Sequence, residues 1–147
     1  MINSINMKHL ITIITLLFSI NLAVSAQHAK ADRIIGTYMT EGDKGKVVIS
    51  KNGNVYNGKL VWSITPGALD KHNPVPAERT KKLAGKNIIT GFQYTDGDVW
   101  EKGKIYDPES GKTYKCKITM KPNGDLIVRG FIGISLLGRN TEWKRAK

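Results

Sequence analysis

From Ile34 onward, apolar side chains recur at every second position far more often than at the helical spacing of 3.6. The plainest run is Lys112 to Met120, where Tyr114, Cys116, Ile118 and Met120 alternate with Thr113, Lys115, Lys117 and Thr119. That pattern predicts a strand with one buried face and one wet, basic face. Leu60, Trp62 and Ile64 alternate with Lys59, Val61 and Ser63 in the same manner. Leu126, Val128 and Gly130 oppose Ile127, Arg129 and Phe131 in a strand whose two faces are both partly apolar. Turn chemistry separates these runs: Gly42-Asp43, Asn52-Gly53, Asp96-Gly97, Asp107-Pro108 and Asn123-Gly124 supply the positive φ angles or preset corners that hairpins require. Eight strands are predicted, at 34–40, 46–50, 55–64, 88–94, 99–106, 112–120, 125–131 and 139–144.

Almost every connection is hairpin-sized, so the chain reads as an all-β, up-and-down meander. Left open, such a sheet would carry two bare edges and one uncovered apolar face, whereas closure removes both problems. The expected fold is an eight-stranded antiparallel barrel, with a β-sandwich as the alternative. Its interior is either filled by side chains or holds one small ligand. Leu60, Trp62, Ile64, Tyr114, Cys116, Ile118, Leu126 and Val128 are the expected lining. The one long connection, Thr65 to Asn87, holds Pro66, Pro74 and Pro76 and a basic cluster at Arg79, Lys81 and Lys82, with room for a short helix within Ala77 to Leu83. Connections of that length are either crossover straps or ligand-contacting lids.

Alternation fails at Gly130 to Gly138, where Phe131, Ile132, Ile134, Leu136 and Leu137 share a span with one polar side chain, Ser135. They are expected, with Arg79, to border the pocket mouth near Trp62 and the long connection. The strand before Lys112 has two registers. Pairing Tyr106 with Lys112 sends Lys104 into the barrel, and a one-residue bulge at the turn places Lys102 and Lys104 outside beside Lys115 and Lys117. The second is expected, because it buries no unpaired ammonium group.

The N-terminus changes the setting. Lys8 precedes an apolar run from Leu10 to Ile20, followed by Val24-Ser25-Ala26. The run is shorter than the roughly 20 residues that span a bilayer, and the small residues suit cleavage before Gln27. Residues 1–26 are therefore expected to be a signal peptide, 27–33 a polar leader and 34–147 a single domain, periplasmic or secreted, with no transmembrane segment after cleavage. The net charge of +11 falls to +10 once Lys8 leaves. Outside the cytoplasm such a charge either serves solubility alone or addresses anionic lipids and polysaccharides rather than nucleic acid. Cys116 is the single cysteine and, by its place in an apolar alternation, is expected to be buried.

Catalytic and metal signatures are missing. After the signal peptide only His28, in the leader, and His72 remain, far from the single cysteine, so no zinc set is expected. Gly133-Ile134-Ser135-Leu136-Leu137-Gly138 lacks the spacing of a nucleophile elbow. Asp96 with Asp98 and Asp107 with Glu109 sit in turn signatures. No catalytic residue, cofactor or metal is expected.

Gly103-Lys104-Ile105-Tyr106-Asp107-Pro108-Glu109-Ser110-Gly111-Lys112-Thr113-Tyr114, followed by Val128 to Arg139 and Trp143, resembles an uncharacterised family of small exported bacterial proteins, a domain of unknown function. The likeness runs from Gly36-Thr37-Tyr38 through Asp70, Asn73-Pro74 and Arg79 to Trp143. It implies a lipocalin-like, or calycin, β-barrel without an established activity. Calycins open on Gly-x-Trp and close with a basic residue packed over that ring. Tyr38 stands here for the tryptophan, and Arg139 or Arg145 for the cation. Two functions are carried forward: an exported binder of a small apolar, lipid-like ligand, and an interaction module for anionic envelope components or a protein partner.

Overall fold

The computed structural model describes Gln27 and residues 29–146. The predicted signal peptide, residues 1–26, lies outside the described residues. In the leader, Gln27 and residues 29–31 are α-helical and Asp32–Ile34 forms a 3-10 turn. Ala29, Lys30 and Ala31 are strong helix formers.

Eight antiparallel strands then follow in order: β1 Gly36–Met39, β2 Gly45–Asn52, β3 Val55–Ser63, β4 Asn87–Tyr94, β5 Val99–Asp107, β6 Lys112–Met120, β7 Leu126–Phe131 and β8 Gly138–Arg145. Each pairs with its neighbour, and β1 pairs with β8 through Tyr38 opposite Arg145 and Met39 opposite Lys144. The sheet is a closed up-and-down barrel. One end, the base, carries the turns at 53–54, 95–98 and 121–125. The other, the mouth, carries the loops at 40–44, 64–86, 108–111 and 132–137.

The base half is solid. Tyr38, Ile49, Tyr56, Phe92, Trp100, Ile118 and Leu126 are fully buried, and Tyr56 meets Trp100 edge-on with centroids 6.5 Å apart. Two glycines make room for this filling. A β-carbon at Gly58 would lie 2.8 Å from Ile89 Cδ1 and 2.9 Å from Val47 Cγ1, and one at Gly103 would overlap the Phe92 ring. Ile89 and Phe92 thus occupy volume that side chains on the neighbouring strands have given up.

Register corrects the expected lining at two positions. Lys46 faces Trp62 while Val47 faces Leu60, so Val61 is an extra, bulged residue. The bulge inverts the alternation beyond Leu60. Trp62 and Ile64, expected inside, are 44% and 59% exposed. On the far wall, Tyr106 pairs with Thr113 and Lys104 with Lys115, so Lys104 points outward. The bulge in this pair lies within β5 rather than at the turn. Glu101 and Lys102 together oppose Lys117, with Lys102 in the left-handed region at φ 63°.

Candidate functional site

At the base, the guanidinium of Arg145 crosses the entry of the chain. It sits 5.3 Å from the Tyr38 ring centroid, donates 2.7 Å to Tyr38 Oη, and donates 2.8 Å to the Ile35 carbonyl. Gly36 lies beneath it: a β-carbon there would come within 2.9 Å of Arg145 Nη2, and the backbone φ of 153° also disfavours a side chain. Burial pushes the Tyr38 hydroxyl up, against the opposing charge of Arg145. Of the two candidate closing cations, Arg145 takes the position. Arg139 lies at the mouth, 3.6 Å from Glu41.

Burial changes along the barrel. Among inward positions, Leu60, Cys116, Ile118, Leu126 and Val128 are buried as expected, while Ile105, Tyr114, Gly130 and Thr141, nearer the mouth, are half-buried. Gly130 tolerates a β-carbon, which would make ordinary contacts of 3.4 Å with Ile105 Cγ2 and 3.7 Å with Tyr114 Cβ. The inward face thus passes from a sealed floor to side chains that are only half-buried near the mouth. Cys116 forms part of that floor, and burial pushes its thiol up to about 12. An ion pair from Lys44 Nζ to Glu109 Oε1, 2.9 Å, links the β1–β2 loop to the β5–β6 turn at the mouth.

The long connection is a strap pinned to the outer wall. Ile88 and Tyr106 fall at outward positions by their register, yet Ile88 is buried. Asp70, fully buried, organises the contact. Its Oδ2 accepts from Asn73 Nδ2 and from Lys86 Nζ, both at 2.6 Å, and its Oδ1 accepts from Tyr106 Oη. Lys86 also lies 5.0 Å from the Tyr106 ring centroid. Desolvation opposes the Asp70 charge, but the donors Lys86, Tyr106 and Asn73 outweigh it and hold the carboxyl below its ordinary value. Burial, with the Asp70 carboxylate beside it, pushes Tyr106 up to about 12. Asn73 Oδ1 caps the Val75 amide at 2.9 Å, and Arg79 Nε donates 2.8 Å to the Asn73 carbonyl. Arg79, expected at the pocket mouth, therefore braces the strap. Where the sequence left room for a short helix, the connection forms a 3-10 turn, Pro76–Glu78. Asp70, Asn73, Lys86 and Tyr106 were not predicted as a group. The available signal was Asp-x-x-Asn-Pro opening a proline-rich connection, which announces an Asx turn but not its distant partners.

The expected basic face lies outside: Lys102, Lys104 and Lys115 are exposed and Lys117 half-buried, with Lys117 Nζ 3.2 Å from Glu101 Oε1. The apolar span between β7 and β8 is also outside. Arg129 ties it down, donating from Nε to the Ser135 carbonyl (2.7 Å), from Nη2 to the Leu136 carbonyl (3.0 Å) and from Nη1 to Asn140 Oδ1 (2.7 Å). Arg129 is outward in register, so the loop turns onto the outer wall. There Ser135 and Leu136 line a groove of about 400 Å³ with Lys117, Thr119, Ile127, Arg129 and Asn140. Phe131, Ile132, Ile134, Leu136 and Leu137 were expected at the pocket mouth. The loop departs from the mouth end of the barrel but is fastened away from the opening. Among the described residues no group of three or more His, Cys, Asp or Glu could hold a metal ion, and no helix is long and apolar enough to cross a membrane.

A family model described as an uncharacterized protein conserved in bacteria (DUF2147) matches residues 36–145. The chain belongs to this family. The DUF2147 match begins at the glycine under Arg145 and ends at Arg145 itself, so it contains the whole barrel closure. Among solved structures, the chain is similar to a protein of Helicobacter pylori described as "Protein HP1028 from the human pathogen Helicobacter pylori belongs to the lipocalin family". The TM-score is 0.72 with 22% identity, over 78% of this chain and 83% of the other. The DUF2147 barrel is thus lipocalin-like. No curated protein matches the chain.

Proposed function

We propose that this DUF2147 protein is an exported, non-catalytic binder of one small, largely apolar ligand, held in a shallow cup at the barrel mouth. The observation that supports this reading is the gradient of burial among inward side chains, sealed from Phe92 and Trp100 downward and half-open at Ile105, Tyr114 and Gly130. Small β-barrels take ligands at such openings. The floor sets a size limit, because Gly58 and Gly103 have surrendered their side-chain volume to Ile89 and Phe92. A short acyl or single-ring compound fits this floor, whereas a long chain running the length of the barrel does not. Arg139, opposite Gly130 in register, and Lys44 place cations near the rim for a polar head group.

The test is displacement of the fluorescent probe anilinonaphthalene sulfonate by octanoate, for the native protein and for Gly130→Leu. The added β-carbon makes only ordinary contacts and the side chain is aimed at the proposed site, so the variant is expected to fold and to lose about tenfold or more in octanoate affinity, a loss of about 1.4 kcal/mol. Unchanged octanoate binding in a folded Gly130→Leu protein would place the ligand elsewhere. Periplasmic or secreted localisation belongs to the same proposal, and fractionation of cells with and without residues 1–26 checks it.

A further inference from the structure

The β7–β8 loop presents an apolar surface that the ligand cup does not use. Ile132, Ile134, Leu136 and Leu137 are 71%, 63%, 79% and 71% exposed, within one span of six residues. Single exposed apolar residues are ordinary, but a contiguous group marks a contact site. This group is held in place. Besides the three Arg129 hydrogen bonds, the Leu137 amide donates 3.1 Å to the Ile134 carbonyl, closing the tip as a turn.

Charge indicates what the tip meets. No acidic residue occurs between Leu126 and Thr141. On the outer wall, Phe131 at the root of the tip pairs with Lys115, and Lys115 with Lys104. Lys102 and Lys117 follow on the same wall, where Glu101 is the acidic partner of Lys117. A cationic strip therefore runs directly to an apolar wedge. A protein partner with an apolar pocket would match the wedge alone, whereas an anionic bilayer matches both parts. Its headgroups receive the lysines, and its acyl boundary receives isoleucine and leucine, the combination by which monotopic proteins bind membranes.

We propose that the protein docks on anionic phospholipid bilayers, inserting the Ile132–Leu137 tip with Lys102, Lys104 and Lys115 against the headgroups. This inference is independent of the ligand cup. The wedge supplies insertion and the lysines supply preference for negative lipid, so each part has its own readout.

The test uses flotation with vesicles of phosphatidylcholine, with and without one-third phosphatidylglycerol, together with a reporter at the tip. Cys116 is buried, so Leu137→Cys directs an environment-sensitive nitrobenzoxadiazole label to the tip, and Asn54→Cys directs it to the base turn. Anionic vesicles are expected to shift the tip label to the blue and leave the base label unchanged. Leu136→Asp with Leu137→Asp should reduce binding about tenfold or more without altering circular dichroism, because both side chains are exposed. Lys104→Glu with Lys115→Glu should abolish the preference for phosphatidylglycerol, and added salt should mimic that loss. Equal binding to neutral vesicles, an equal shift of the base label, or full binding by the double aspartate variant would overturn the proposal. So would a blue shift on concentrating the labelled protein without lipid, which would assign the tip to self-association.

Discussion

Replacing Gly103 by alanine adds a single methyl group, which the fold places against the Phe92 ring. The new carbon would approach Cγ, Cδ2 and Cε2 of that ring at once, overlapping each by about 1 Å relative to ordinary carbon contact. The ring has little room to retreat. Phe92 is fully buried, it faces Tyr56 across the β3–β4 pair, and Tyr56 packs edge-on against Trp100. Overpacking a tight core costs about 1–3 kcal/mol, and three simultaneous overlaps place Gly103→Ala at about 3 kcal/mol. For a domain of this size that corresponds to a fall of about 10 °C in Tm. Phe92→Ala alone is expected to cost about 3–5 kcal/mol through the cavity it leaves. In the double variant the alanine methyl enters that cavity, so the combined loss should fall short of the sum by about 2 kcal/mol. Urea unfolding of the four proteins, with unchanged m values, measures this directly. A Gly103→Ala protein within about 0.5 kcal/mol of the native one, or strict additivity of the pair, would refute the solid floor and the size limit drawn from it.

Asp70→Ala leaves Lys86 and Tyr106 facing each other without their shared acceptor, and is expected to cost about 3–5 kcal/mol by thermal or urea unfolding. Because the folded Asp70 carboxyl titrates below its ordinary value of 3.8, its contribution is present above that pH and is lost as pH falls through the lower folded value. Hydrogen exchange of strap amides, including that of Leu83, should therefore accelerate in strong acid before that of β6. Tyr106 has the opposite sign: its hydroxyl, raised to about 12, stabilises the fold below pH 10 and ceases to do so as pH rises toward 12. Phenolate absorbance of the native protein and of Tyr106→Phe should coincide up to about pH 10 and differ by one tyrosine only as the pH approaches 12. The Cys116 thiol, also raised to about 12, should react with a disulfide reagent only when the barrel unfolds, and prompt reaction in native buffer would contradict its place in the floor.

The strands were legible because one face of each is buried, which forces a period of two on the residues. In Lys112–Met120, Cys116, Ile118 and Met120 are buried and their neighbours are not. Closure followed from the same pattern, through the cost of bare edges. Trp62 and Ile64 were misplaced because a bulge at Val61 has no side-chain signature when Leu60, Val61, Trp62 and Ile64 are all apolar. Lys104 was placed correctly because burying its charge is costly, a penalty that does not apply to Trp62. The strap network was out of reach for a different reason. Tyr106 meets Asp70 from 36 positions away, and only the path of the strap across β4 and β5 brings them together. The apolar tip was recognised as unable to face the interior in full, but its direction depended on Arg129 reaching the Ser135 and Leu136 carbonyls.

The central claim, a sealed floor beneath a small open cup, is tested most directly by methyl NMR during titration with octanoate. The account predicts shifts at Ile105, with the Tyr114 ring and the Gly130 amide moving alongside it, while Ile118, Ile49 and Leu126 remain in place. Saturating shifts at Ile118 and Leu126, or shifts confined to Ile127, Leu136 and Leu137 on the outer wall, would contradict it.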